Sequence, residues 1–239
     1  MPITIIYGSR SRLRVTFCPR NSPVFHRFRH VPGAGARQQH PGLHAVSTPW
    51  AAVTATAGTR PAQAVGVWGT GGLGAHAVQL LRMVGAAPII AIDPLPAARD
   101  RALEFGADLA LDPDDPALAK RVFAESGGLA VAFDFAGVPA VREQAVGCLA
   151  PQGKLVLVGL TDQPLTITGG TRFSYLQQQV LGHYGSLAVH VEELVALVRR
   201  RRLDFSRSVS GVLPLASAAD AVDRLAQKKG NPIRLILRP

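Results

Sequence analysis

From about residue 45 onward the apolar positions alternate between two textures. Ala64-Val65-Gly66-Val67-Trp68 is a short, unbroken apolar run, the pattern of a strand buried on both faces. Gly72 to Gly85 then carries Leu73, Ala77, Leu80, Leu81 and Val84 at helical spacing. The alternation repeats. Pro88 to Ile92 reads as a strand, Ala97 to Phe105 as a helix stopped by Gly106, and Leu109-Ala110-Leu111 as a short strand. Asp115 before Pro116 has the form of an N-cap with proline at the first helical position, opening a helix to about Glu125. Leu129 to Phe135 is a strand, Val138 to Leu149 a helix, Lys154 to Val158 a strand and Gln179 to Gly182 a candidate sixth strand. Strands alternating with helices predict an α/β fold, a parallel sheet covered on both faces. Right-handed crossovers then favour a Rossmann-type, doubly wound six-stranded sheet of order 3-2-1-4-5-6. A further helix from near Val189 ends in Arg199 to Arg202, where cations complement the negative end of the helix dipole.

Residues 1–43 differ. They hold seven arginines, no lysine and no acid, so this segment supplies +7 of the chain's net +10. Val24 to His30 alternates briefly among Pro19, Pro23, Pro32 and Pro41, and no period is sustained. The segment is expected to be irregular. Three readings compete: an Arg-rich transit peptide, a nucleic-acid arm, or sequence from a shifted frame or misplaced start. The third is preferred. With the basicity confined to this segment, the composition describes no charged folded face, and no nucleic-acid partner is expected. The 239 residues are 47% hydrophobic with a mean hydropathy of +0.17, which argues against a disordered chain. No apolar run approaches the ~20 residues of a spanning helix, so no membrane partner is expected. Cys18 and Cys148 cannot make a disulfide framework or a four-thiolate zinc site, and a reducing, cytoplasmic setting is expected.

The chemistry concentrates between the first strand and the first helix. Gly69-Thr70-Gly71-Gly72-Leu73-Gly74 has the G-x-G-x-x-G spacing in a strand–loop–helix context. Gly69 permits the tight turn, Gly71 lets backbone approach a pyrophosphate, and Gly74 lets the helix pack on the strand. The phosphates would meet the free N–H groups of the helix N-terminus. Asp93 ends the second strand, where a carboxylate accepts both ribose hydroxyls of NAD and repels the 2′-phosphate of NADP. Arg99 is read as the solvated face of the next helix, His76 as a helix-surface or helix–helix contact, Cys148 as core, and His183 as structural or supporting a nearby pocket. A methyltransferase-type sheet is the main alternative for the glycine loop and acid together.

From about Ala45 to the end the chain resembles the C-terminal portion of the zinc-dependent alcohol dehydrogenases of the medium-chain dehydrogenase/reductase superfamily. Besides the glycine loop and Asp93, the resemblance rests on Phe105-Gly106-Ala107-Asp108, on Phe133 to Gly137 and on Pro151 to Gly159. It continues in Leu181 to Ser186, Gly211 to Leu215 with Asp220 to Leu225, and Ile233 to Leu237. Order and spacing together carry it. By that resemblance Leu73 lies near the adenosine phosphates with Gly69, Gly71, Gly72 and Gly74. Ala136, Gly137, Val158, Gly159 and Tyr184 line the nicotinamide side, Thr48 lies against the ring, and Arg234 touches the pyrophosphate. One departure is Ala98, where the family often has lysine.

The family's N-terminal catalytic domain, with its zinc ligands, has no counterpart in residues 1–43, and His44 stands where the third catalytic ligand is Cys or Asp. The resemblance therefore implies an NAD-dependent alcohol dehydrogenase polypeptide, truncated or misread at its N-terminus. Zinc is expected for the full-length family, with no metal site and no assigned catalytic residue here. A complete enzyme would pass a hydride between an alcohol or aldehyde and nicotinamide. A stand-alone, non-catalytic NAD(H)-binding module is the alternative, and a basic nucleic-acid-associated protein the third. The expected organisation is an irregular segment 1–43, an NAD-binding domain 44–188, and an extension 189–239 that returns to the catalytic domain and exposes an apolar patch. A homo-oligomer is compatible with the resemblance.

Overall fold

The computed structural model describes residues 3–6, 14–15 and 43–238. The chain divides into two compact units, Thr48–Gly185 and a second formed by Met1–Ser47 with Ser186–Pro239.

The larger unit is a six-stranded parallel sheet. In chain order its strands are β3 (Val65–Trp68), β4 (Ile89–Ile92), β5 (Leu109–Leu111), β6 (Leu129–Asp134), β7 (Leu149–Leu157) and β8 (Gln179–Gly182), numbered after two strands of the other unit. Their spatial order is β5-β4-β3-β6-β7-β8, the predicted 3-2-1-4-5-6. Val65 pairs with Ile89 on one side and with Val131 on the other, so the order reverses between β3 and β6. β3 and β4 are buried along their whole length, as unbroken apolar runs require. The helices are α1 (Leu43–Ala51), α2 (Gly74–Val84), α3 (Pro96–Glu104), α4 (Leu118–Ser126), α5 (Pro139–Gly147) and α6 (Gly170–Tyr175). α1 contains Pro49 and passes directly into a π-helical turn, Ala52–Thr56.

Local chemistry explains several boundaries. α2 ends on Gly85 in the left-handed region, with the Gly85 N–H on the Leu81 carbonyl. α3 and α5 open on Pro96 and Pro139, whose missing N–H costs nothing there. Asp115 accepts from the Ala117 N–H at 2.8 Å, so the Asp-Pro pair makes the turn before α4 and the helix itself starts at Leu118. β7 begins at Leu149, earlier than the apolar run beginning at Lys154 implies, because Leu149 pairs with Leu129 before the register shifts.

The core runs through Trp68, Ile90, Ile92, Leu111, Leu118, Leu129, Leu149 and Leu155. Cys148 belongs to it, and burial pushes its thiol up to about 11. Trp68 sits in this apolar layer and satisfies its indole N–H on Gln144 at 2.8 Å.

The smaller unit has its own sheet, β2 (Arg14–Val15), β1 (Ile3–Ile6), β10 (Arg234–Arg238) and β9 (Val209–Pro214), in that order. β9 and β10 are parallel and β1 is antiparallel to β10. Within the segment expected to be irregular, two short strands are thus described. Ile3-Thr4-Ile5-Ile6 is a β-branched run that adds to the free edge of β10. The alternating run Val24 to His30 and Cys18 lie outside the described residues. Helices α7 (Ala188–Arg199) and α8 (Ala218–Ala226) complete the unit, and Ala221, Leu225, Leu235 and Leu237 form a small separate core. Leu187 and Val189 are exposed on the extension, as are Val212 and Leu215. No helix among the described residues is long and apolar enough to cross a membrane.

Two outcomes are expected. Phe133→Ala, at a fully buried site on β6, should lower the unfolding free energy by about 3–5 kcal/mol in urea titrations. Cys148 should resist a thiol reagent at pH 8 in the native protein and react on unfolding. The folded thiol titrates near 11 and the unfolded one near 9.0, so this group should make stability fall as pH rises across that window.

Candidate functional site

The reversal of strand order creates a crevice at the carboxyl ends of β3 and β6, the usual ligand position in open α/β sheets. Two loops meet there. Gly69 follows β3 with φ +85°, and a Cβ on it would come within 3.0 Å of the Ala136 amide nitrogen after β6. A side chain at Gly74 would run into the Gly69 carbonyl, so α2 approaches the loop as only glycine allows. A Cβ at Gly71 would meet nothing within 4 Å; this side of the loop is open.

The glycine loop is held from beneath by Thr70, which is fully buried. Its N–H donates to Asp93 Oδ2 at 2.8 Å and its hydroxyl lies 3.2 Å from the same oxygen. Its carbonyl accepts from Arg101 Nη2 at 3.0 Å. Asp93 Oδ1 takes the Leu95 N–H at 2.9 Å, so the acid at the end of β4 is fixed by backbone on both sides. Burial lowers the Arg101 pKa from its ordinary value, partly offset by Asp93 and Glu104. Arg99 is not the solvated residue expected. Its Nη1 donates to the Asp93 carbonyl at 2.8 Å and pairs with Asp112 at 2.8 Å, closing the turn that carries Asp93. His76 is buried and lies with Nδ1 2.7 Å from the Gly72 carbonyl, which corrects the helix-surface reading.

The second loop is organised by Asp134, which has no exposed surface. Its Oδ1 accepts the N–H groups of Ala136 at 2.9 Å and Gly137 at 2.8 Å. Its Oδ2 accepts Arg142 Nε at 2.9 Å, and Arg142 Nη2 reaches the Gly159 carbonyl at 3.0 Å. One buried ion pair therefore ties the end of β6, the start of α5 and the end of β7. Gly137 has φ +69°, and a Cβ on Gly159 would strike its amide nitrogen. Asp134 is legible only as a strand-end acid two residues before Ala136-Gly137, and Arg142 as one arginine on a helix.

Gly69, Gly71, Gly72, Leu73, Gly74 and Asp93 thus gather on one side of the crevice. Ala136, Gly137, Val158 and Gly159 gather on the other. Thr48 belongs to the same unit, on α1, and its carbonyl lies 3.1 Å from His183 Nε2. Tyr184 follows β8 and is 85% exposed. Arg234 lies in the other unit, at the start of β10, buried, with Nη1 on the Ile233 carbonyl at 3.1 Å. Burial pulls its pKa down to about 10. Among the described residues no group of three or more His, Cys, Asp or Glu could hold a metal ion. A cavity of about 580 Å³ lies at the opposite, amino ends of the strands, beside Gln63, Pro88, Gln152 and Lys154.

A parallel sheet of this order, with a glycine loop after its first strand and an acid at the end of its second, is a Rossmann-type α/β unit. The family model described as zinc-binding dehydrogenase matches residues 72–200, more than half of the chain, and the chain belongs to that family. A geraniol dehydrogenase of Castellaniella defragrans is 37% identical over 115 residues, covering 46% of this chain and 31% of that one. The benzyl alcohol dehydrogenase of Acinetobacter calcoaceticus superposes with a TM-score of 0.79 at 21% identity, covering 87% of this chain and 58% of that one. A short chain alcohol dehydrogenase of E. coli CFT073, complexed with NADH, gives 0.79 at 21% identity, with 87% and 61% covered. At those identities the structures share the fold. The chain spans about a third of the length of the geraniol dehydrogenase and somewhat over half of the two structures.

Removing either partner of the Asp134–Arg142 pair should be costly. Arg142→Leu leaves a buried carboxylate without its cation and should destabilise by about 3–5 kcal/mol. Asp134→Ala also releases the Ala136 and Gly137 N–H groups, and urea titration should find it the more destabilising of the two.

Proposed function

We propose that the crevice at the β3–β6 reversal binds NAD(H) and that the chain serves an alcohol dehydrogenase, with hydride transfer between an alcohol carbon and nicotinamide. The observation that carries this is the lock between the glycine loop and Asp93. The Thr70 N–H on Asp93 fixes the loop and the acid as one surface. The open side of Gly71 leaves space for a pyrophosphate where a side chain would stand. Family membership and the NADH-bound structure of similar fold support the same reading.

In this reading Gly69, Gly71, Gly72, Leu73 and Gly74 receive the phosphates at the start of α2, where backbone N–H groups and the helix dipole favour an anion. Asp93 Oδ1 accepts the Leu95 N–H and keeps a lone pair for a ribose hydroxyl, and the carboxylate charge disfavours a 2′-phosphate. Ala136, Gly137, Val158 and Gly159 form a wall of small groups and backbone for the nicotinamide, with Thr48 and Tyr184 on its other sides. Bound NAD supplies the hydride acceptor. The chain's own residues bind it, orient it and exclude water from one face. The described residues include no donor set for zinc, so no step is assigned to a metal and no catalytic residue is assigned. The substrate class is a small alcohol or aldehyde, and the setting is cytoplasmic.

The test is titration of the purified full chain with NADH, followed by nicotinamide fluorescence. Binding saturating in the micromolar range is expected, with NADPH at least about tenfold weaker. Asp93→Ser should weaken NADH and bring the two cofactors within about threefold of each other. No NADH binding, or an unchanged preference in the variant, contradicts the proposal.

A further inference from the structure

An imidazole outside the glycine loop and the Asp134 network joins two parts of the larger unit that lie far apart in sequence. His183 leaves the end of β8 with its backbone N–H on the Leu157 carbonyl at 2.9 Å. Its ring lies between two residues of the α1–π segment. Nε2 is 3.1 Å from the Thr48 carbonyl oxygen and Nδ1 is 2.8 Å from Thr56 Oγ1. A carbonyl oxygen only accepts, so Nε2 carries the proton. In the neutral ring Nδ1 then accepts, and the Thr56 hydroxyl donates.

The position of this bridge follows from the helix it meets. Pro49 has no N–H to give the preceding turn, and three residues later the α-helix becomes a π-turn, Ala52–Thr56. Such a change of hydrogen-bond period interrupts the i→i−4 ladder and leaves carbonyls for other donors. Two side chains from the sheet supply them. His183 takes the Thr48 carbonyl, and Lys154 Nζ from β7 takes the Ala57 carbonyl at 3.0 Å. His183 thus pins the segment at Thr48 to the carboxyl end of β8, and Lys154 pins it at Ala57 to the amino end of the parallel ladder; the pin at Thr48 holds a residue of the nicotinamide side.

We propose that His183 is a positioning residue for the nicotinamide ring. Held as the neutral Nε2–H tautomer between Thr48 and Thr56, it fixes Thr48, and with it the wall against which the ring rests. The adenosine and pyrophosphate contacts are made by α2, Asp93 and their loop, and do not pass through His183. The inference rests on the NAD(H) reading of the crevice, and predicts that His183 acts on one half of the cofactor only.

The experiment compares NADH with ADP-ribose, which lacks the nicotinamide, on the full chain. The wild type should bind both. His183→Ala should weaken NADH by about five- to tenfold, the equivalent of one or two hydrogen bonds, and leave ADP-ribose within about twofold. His183→Gln, whose amide nitrogen reaches the position of Nε2, should recover most of the loss. His183→Asn, which is one atom too short, should not. Thr56→Val keeps the fold at a half-buried site and removes the hydroxyl partner of Nδ1. In ¹⁵N spectra of histidine-labelled protein at pH 8, His183 should show the Nε2–H tautomer in the wild type, with its Nδ1 shift changed in Thr56→Val. Equal losses for NADH and ADP-ribose, no loss for either, or an Nδ1–H tautomer overturns the inference while leaving the coenzyme reading intact. A wild type that binds neither ligand overturns that reading as well.

Discussion

The buried Asp134 carboxylate is the constraint on which the crevice depends. A carboxylate without solvent is tolerated only when its charge and lone pairs are met. Here a guanidinium and two backbone N–H groups meet them. Because those partners come from the loop after β6 and from α5, and the guanidinium goes on to the Gly159 carbonyl, satisfying one charge fixes the ends of two strands. That wall stands against the glycine loop across the reversal in strand order, where Gly69 and Ala136 approach closely.

The facing side uses the same device. Thr70 is buried beneath the glycine loop, and its N–H, hydroxyl and carbonyl all bond to the β4–α3 region through Asp93, Ala98 and Arg101. The acid that would read a ribose in the proposed site is also the acid that holds the glycine loop. This couples the two contacts: moving the loop disturbs Asp93, and neutralising Asp93 releases the loop. A pre-organised surface of this kind lowers the ordering cost of binding a long, flexible ligand.

Most of the fold was legible because the parallel sheet writes itself into the sequence as buried apolar runs separated by helical spacing. β3, β4 and β5 follow those runs closely, and the strand order follows from crossover handedness. The glycine loop and Asp93 were legible because a tight strand-to-helix turn and a strand-end acid stand at a recognisable spacing. The side chains that hold the site were not. Thr70 reads as the variable position of a motif, Arg101 and Arg142 as charges on helix faces, and His183 as one imidazole near a pocket. Each acquires its role from a partner 31, 8 or 135 residues away, and no local period encodes such a pairing. Arg99 was misread for the same reason, since an arginine on a helix start looks solvated until the Asp112 turn is folded beside it. The strand Ile3–Ile6 is a four-residue β-branched run at the start of a segment with no sustained period, and its pairing partner Leu237 lies at the far end of the chain.

The central claim is that the two loops at the strand-order reversal form one cofactor surface. Amide NMR of the ¹⁵N-labelled full chain during NADH titration tests it most directly. The account predicts saturable shifts that begin at Gly69, Gly71 and Gly72, include Ala136, Gly137 and Gly159, and share a single dissociation constant. Shifts confined to the amino ends of the strands, around Gln63 and Gln152, or glycine-loop amides that do not respond, would contradict it.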